Sequence, residues 1–186
     1  MNTNTKRPAI LKAAQRILQR DGVAHLTMDA VARESGVSKG GVLYHFPSKE
    51  ALLEGIVSFL MEDFTRDRAI LQQQEEPGPG QWVRSYIRAS TIPAPDEETD
   101  TAIGLIVAIT NNPQLLAPIR AYFAAWQEEA IHDGLPPALA TILRLAADGL
   151  WFSEWLGLAP PQGTLREEVI QSLLSMARSS AAGATR

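Results

Sequence analysis

The chain has 186 residues, 45% of them apolar and 20% charged, which excludes a wholly disordered polypeptide. It contains no cysteine, so a disulfide scaffold, thiol chemistry and a Cys-ligated zinc site are excluded. No apolar run approaches the roughly 18 residues of a membrane span, and the N-terminus lacks the apolar core of a secretory signal. A soluble, cytoplasmic chain with no membrane attachment is expected. The net charge of -4 is unevenly placed. Residues 1–60 hold eight Lys/Arg and five Asp/Glu, a net +3, while the remainder holds nine Arg and sixteen acids, a net -7. A basic head on an acidic body suggests two modules, the first facing a polyanion.

Helical signals run the length of the chain. Ile10, Leu11, Ala14, Ile17 and Leu18 recur at the helical period. Asn4 or Thr5 can cap that helix, Pro8 suits its first turn, and Asp21-Gly22 ends it. Thr27 caps a second helix from Met28 to Glu34 or Ser35. Gly36-Val37-Ser38 is a tight turn, and Ser38 caps a short third helix, about Lys39–Tyr44. Ser48 caps a fourth, which meets no proline before about Gln74. After the Glu75–Gly80 loop the spacing predicts helices over about Gln81–Thr91 and Ala102–Thr110, with a polar loop Pro93–Thr99 between them. Further helices follow from Asn112-Pro113 to about His132, then Ala138–Leu156, then a last one from the Thr164/Glu167 capping box to about Ser179. No strand alternation and no repeat is found. An all-α chain of about nine helices is predicted.

Thr27–Leu53, TMDAVARESGVSKGGVLYHFPSKEALL, carries the chemistry. Helix, glycine-containing turn and second helix form a helix-turn-helix unit. Ala32 is small where the two helices cross, and Val37 plugs the space beneath the turn. The capped helix start presents amide donors and the positive end of a dipole, which favours phosphate. Lys39 opposes that dipole, which makes sense beside an anion or a guanine edge. Gly40 and Gly41 cost roughly 1 kcal/mol each within a helix, but they let backbone approach a groove floor. Tyr44, His45 and Lys49 can reach phosphate oxygens.

These residues resemble the DNA-binding domain of the TetR family of bacterial transcriptional regulators. The resemblance rests on Thr27, the Ala32 region, Gly36-Val37-Ser38, Gly41, Leu43-Tyr44-His45-Phe46, Ser48-Lys49-Glu50 and Leu52-Leu53, and covers about the first 60 residues. The Gly40-Gly41 pair departs from the many members that carry a larger first residue. The resemblance implies phosphate contacts from Thr27, Ser38, Tyr44, His45 and Lys49. It places Lys39, Gly40 and Gly41 against base edges, with Leu43 and Phe46 as core. It also implies a three-helix DNA-binding domain over residues 1–50 and a helical ligand-binding and dimerisation domain over 51–186.

All four tryptophans lie in the body, beyond residue 60. Trp82, Tyr86, Trp126, Trp151 and Trp155 suit either a ligand pocket or ordinary core. Asp148 lies within the apolar run Leu145–Phe152, where an acid is costly unless it is satisfied. It either meets a cationic aromatic effector or pairs with Arg144 one turn earlier; the segment also resembles the body of TetR-type multidrug-responsive repressors. The resemblance further implies that the last two helices pair with those of a second subunit. Ile170, Leu173, Leu174 and Ala177 form a stripe for that pairing or for packing within one subunit. The expected function is a homodimeric repressor on a pseudo-palindromic operator, released by a small effector; the alternative is a regulator controlled by a protein partner. No catalytic constellation, metal set or cofactor motif is found, so no enzyme activity and no cofactor are expected.

Overall fold

The computed structural model describes residues 3–92 and 112–183, with side chains over 6–92 and 112–179. Among these residues there are eight α-helices and no strand: α1 (Thr3–Asp21), α2 (Met28–Ser35), α3 (Lys39–His45), α4 (Lys49–Gln74), α5 (Gln81–Thr91), α6 (Leu116–Ile131), α7 (Pro137–Leu156) and α8 (Gly163–Gly183). The loop expected over Pro93–Thr99 and the helix expected over Ala102–Thr110 lie outside the described residues.

The described residues form two compact units. One holds residues 3–62 with 112–121, the other 63–92 with 122–183. In the first, Ile10, Leu11, Ala14, Ile17 and Leu18 on α1 meet Leu26, Val31, Val42, Phe46, Leu52, Leu53, Ile56, Val57 and Leu115. Each fully buried Val, Leu or Ile side chain among them contributes about 1.5–3 kcal/mol. Gly55 lets α4 come close: a Cβ there would lie 2.6 Å from Phe46 Cε1. In the second unit α5 packs on α7 and α8. Asp133, just past α6, accepts from the backbone N–H groups of Trp82 and Val83 at 2.9 Å each, and so caps α5 from outside its own sequence. Buried Glu75 accepts from Arg84 Nε at 3.0 Å and also from Arg88, which anchors the loop before α5.

Three sequence expectations shift. Helix α1 begins at Thr3, so Pro8 lies inside it rather than in its first turn. Pro8 is exposed, and a 19-residue helix held along Ile10–Leu18 tolerates the one hydrogen bond that proline cannot make. Helix α8 begins at Gly163, which places Thr164 inside it, and runs to Gly183, because Ser180, Ala181 and Ala182 bring no stop signal. Leu43 is 38% exposed and not core; Val42 and Phe46, one turn apart, take the inner face of α3.

The stripe Ile170, Leu173, Leu174, Ala177 faces inward, with Leu174 and Ala177 fully buried in this single chain. A different set is left outside. On α7, Ile142, Leu145, Phe152 and Leu156 recur at i, i+3, i+10 and i+14 and are all exposed, as are Leu165 and Met176 on α8. Both helices therefore carry a second apolar face beyond the one that serves the core of their own unit.

Candidate functional site

The helix-turn-helix is built by short-range hydrogen bonding. Thr27 Oγ1 accepts from Ala30 N at 3.1 Å, which caps α2. Gly36 ends α2 in the left-handed region at φ 68°, where a side chain is strained. Ser38 Oγ accepts from Gly41 N at 3.2 Å and starts α3, and Ser48 Oγ accepts from Ala51 N at 3.1 Å to start α4. Val31, Val42 and Phe46 lock the pair of helices onto α1 and α4. What remains outside is a polar edge: Thr27, Ser38, Lys39, Gly40 and Tyr44 are exposed, and Gly41, His45 and Lys49 half-buried. The Tyr44 ring is 77% exposed and meets His45 edge-on at 5.3 Å, so its hydroxyl stands clear of the core.

The two glycines differ in their surroundings. A Cβ on Gly41 would lie 2.8 Å from Val37 Cγ1 and 3.2 Å from Ser38 Oγ, whereas a Cβ on Gly40 would meet nothing within 4 Å. The cations differ too. Lys39 Nζ donates to Asp29 Oδ2 at 2.9 Å, between the first turns of α3 and α2. Lys49 Nζ donates to the carbonyl of Val23 at 2.6 Å. Both ammonium groups already hold partners in the free chain.

In the body, four of the six residues singled out as effector contacts come together. Tyr86 stacks on Trp82 at 5.0 Å and lies edge-on to Trp126 at 5.8 Å. Its hydroxyl donates to Asp148 Oδ1 at 2.6 Å, and Arg144 Nη1 donates to Asp148 Oδ2 at 2.6 Å. Asp148 is thus paired with Arg144 one turn away, the second of the two readings its sequence allowed. Burial pushes its carboxyl above the usual range, against the pull of Tyr86 and Arg144, and burial raises the Tyr86 phenol as well. Trp151 and Trp155 instead stack on one another at 5.0 Å beside Phe152, on a face of α7 where Trp151 and Phe152 are exposed.

Residues that sequence reasoning passed over complete this cluster. Phe64 lies 4.8 Å from Trp126 and 5.4 Å from Tyr86. Arg68 lies over the Trp82 ring at 4.9 Å and is almost fully buried, with Nη1 donating to Gln72 Oε1 at 2.6 Å and its Nε without a hydrogen-bond partner. Desolvation holds its guanidinium below its usual basicity. Glu129 accepts from the Trp82 indole N–H and, at 3.4 Å, from Arg68. Gln127 accepts from Arg144 Nε at 2.7 Å. Phe64, Arg68 and Gln72 are spaced i, i+4, i+8, a helical signal that could have marked one inward face of α4.

Two family models match the sequence. One, described as bacterial regulatory proteins of the tetR family, covers residues 10–56; the other, a tetracyclin repressor-like C-terminal domain, covers residues 80–178. The nucleoid occlusion factor SlmA of Marinomonas sp. (strain MWYL1) is 38% identical over 72 residues, which is 38% of this chain and 36% of that protein. The chain thus matches little more than a third of the length of this curated relative. Among solved structures, a transcriptional regulator from Pseudomonas aeruginosa PAO1 superposes with a TM-score of 0.73 at 17% identity, over 99% of this chain and 94% of the other. The multidrug binding protein EbrR complexed with ethidium gives 0.64 at 23% identity, over 92% and 98%. At these identities the likeness is one of fold.

Proposed function

The chain belongs to the TetR family of bacterial regulatory proteins, and on that premise we propose that it is a cytoplasmic, homodimeric repressor which binds a pseudo-palindromic operator and is released by a small effector. The observation that carries the DNA-binding half is the capped α2–turn–α3 unit with its exposed polar edge. In this reading residues 1–50 are the DNA-binding domain and 51–186 the effector and dimer domain. Helix α3 enters the major groove. Lys39, Gly40 and Gly41 lie against base edges, while Thr27, Ser38, Tyr44, His45 and Lys49 hold phosphates. Lys39 and Lys49 exchange Asp29 and the Val23 carbonyl for DNA on binding.

The dimer forms through α7 and α8, supported by the exposed row Ile142, Leu145, Phe152, Leu156 with Leu165 and Met176. A second copy related by a two-fold axis covers such a row with itself. Two recognition helices then fall about one or more turns of DNA apart, roughly 34–36 Å or a multiple.

The effector site is the aromatic cluster of Trp82, Tyr86 and Trp126 with Asp148, extended along α7 by Trp151 and Trp155. A flat cationic effector, of the kind EbrR holds as ethidium, would stack on these rings and compete with Arg144 for Asp148. That exchange breaks an ion pair within α7, on the same carboxylate that the Tyr86 hydroxyl of α5 holds, and the effector shifts the population toward whichever state lets it make the contact. A second reading, control by a protein partner, is supported by the ring-on-ring packing of Tyr86 with Trp82, Phe64 and Trp126, which an effector must open.

The test is a mobility-shift titration on the intergenic DNA upstream of the gene, repeated with planar cations such as ethidium. Binding that such cations release supports the effector reading. Binding indifferent to small molecules, yet lost with a cell-extract protein, supports the second. No binding to that DNA, or to any duplex selected from a random pool, refutes the DNA-binding reading.

A further inference from the structure

Eight Lys/Arg side chains lie in the first 60 residues. Arg16 and Arg20 pair with Glu34 at 2.9 and 3.5 Å, Arg20 also with Asp21 at 2.8 Å, and Lys39 with Asp29 at 2.9 Å. Lys49 is engaged by the Val23 carbonyl. No carboxylate pairs with Lys6, Arg7, Lys12 or Arg33 among the described residues. Arg33 lines an open groove beside Thr27, shared with Arg20, Asp21 and Glu34.

Arg7 is placed differently. It precedes Ile10, Leu11, Ala14 and Leu18 by three, four, seven and eleven residues, so it continues the stripe that α1 turns to the core. An aliphatic residue would extend that core. Instead an exposed guanidinium lies over the ring of Phe46, with Cζ 5.5 Å from its centroid. Phe46 is buried and is the C-cap of α3, directly after Tyr44 and His45. The ring therefore fixes a cation at the end of α3, whose last residues carry the exposed Tyr44 phenol and the half-buried His45 imidazole. A guanidinium with one face on an aromatic ring keeps its in-plane N–H donors free, the arrangement that grips a phosphate with two parallel hydrogen bonds.

We propose that Arg7 is a further phosphate-binding residue of the DNA interface, held over Phe46 so that α1 contributes a contact to the strand flanked by the C-terminal end of α3. The proposal rests on the DNA-binding reading above. A structural role is the competing account, since a cation near the C-terminal end of a helix also offsets its dipole.

The experiment uses the full chain and a duplex that the wild-type protein selects from a randomised pool. Operator affinity is measured across a range of salt concentrations, and thermal stability alongside. Arg7→Leu preserves apolar cover over Phe46 and removes the charge. It is expected to keep the wild-type melting temperature, to bind roughly tenfold more weakly, and to flatten the slope of log affinity against log salt by about 0.9 per protomer. Arg7→Lys is expected to keep the slope and lose part of the affinity, because the charge stays and the planar fork goes. Lys12→Ala is the control: five residues on, it lies about 140° around α1 from Arg7, and its affinity is expected to match wild type. Unchanged affinity and slope in Arg7→Leu, with Tyr44→Ala still weakened, overturns the Arg7 assignment alone. Equal losses in Lys12→Ala overturn it in favour of bulk charge. A lower melting temperature with unaltered slope assigns Arg7 to the fold. Failure of the wild-type chain to enrich any duplex removes the DNA-binding reading, and this proposal with it.

Discussion

Replacing Gly40 by alanine separates what a glycine does for α3 from what it does for a bound duplex. A Cβ at this position meets no atom within 4 Å, and Gly40 is exposed. Nothing inside the protein asks for glycine there. Alanine is favoured over glycine in a helix by about 1 kcal/mol, so Gly40→Ala is expected to raise the melting temperature by about 2–4 °C for a chain of this size. If α3 lies on base edges, the added methyl intrudes between helix and groove and weakens operator binding by roughly tenfold or more, about 1.4 kcal/mol. Gly41→Ala is the comparison. Its Cβ would stand 2.8 Å from Val37 Cγ1, so Val37 must give way and the propensity gain largely cancels. Thermal denaturation and fluorescence anisotropy on labelled operator read the two effects apart. A Gly40→Ala chain that is more stable and binds its operator as tightly as wild type refutes the argument that this glycine faces the groove.

Other outcomes follow from the same geometry. Tyr44→Ala is expected to weaken binding across all duplex sequences with little loss of stability, since Tyr44 is 77% exposed. Lys49→Ala is expected to lose affinity and also about 1 kcal/mol of stability, because Lys49 Nζ holds the Val23 carbonyl; chemical denaturation reads the difference. Asp148→Asn is expected to weaken a cationic effector in a release assay and to cost about 2 kcal/mol, since the Arg144 guanidinium, only 10% exposed, loses its counter-charge. Ile142→Asp combined with Leu145→Asp is expected to yield monomers by sedimentation, and a dimer that survives both changes places the interface elsewhere. Burial pushes the Glu75 carboxyl up, but hydrogen bonds from Arg88 and Arg84 hold it below its usual 4.5. Its stabilisation is therefore present above that value and lost as pH falls through the lower folded-state value. The stability gap between wild type and Glu75→Gln should close on acidification, and a gap that widens contradicts the ion pairing.

The local elements were legible because their signals are local. Thr27, Ser38 and Ser48 each cap the helix that follows them, and Gly36 takes the left-handed turn, all within four residues of what they control. The stop at Asp21-Gly22 and the ends of α4 and α5 were legible for the same reason. Partnerships across the chain were not. Asp133 reads as a helix stop, yet its carboxylate caps α5 some fifty residues earlier. Helix α8 has apolar positions on two sides, and periodicity alone does not say which side meets the unit's own core. Leu173, Leu174 and Ala177 took that role, leaving Leu165 and Met176 outside. The pairing of Asp148 with Arg144 is one of two options the sequence offers, because the two lie one turn apart. The Tyr86 hydroxyl that shares it comes from another helix and left no mark in the sequence.

The carboxylates that pair with Arg16, Arg20 and Lys39 bear on how long such a protein lingers on the wrong stretch of chromosome. A lone cation gains from any phosphate it meets, whatever the sequence. A cation already matched by Glu34 or Asp29 gains only where the duplex offers a better partner than the carboxylate it leaves. In the DNA-binding reading proposed above, noncognate DNA, which offers phosphate charge and little else, holds the basic head more weakly than its count of lysines and arginines implies. On that reading the same pairing shortens each unproductive stop and leaves more of the protein free to scan.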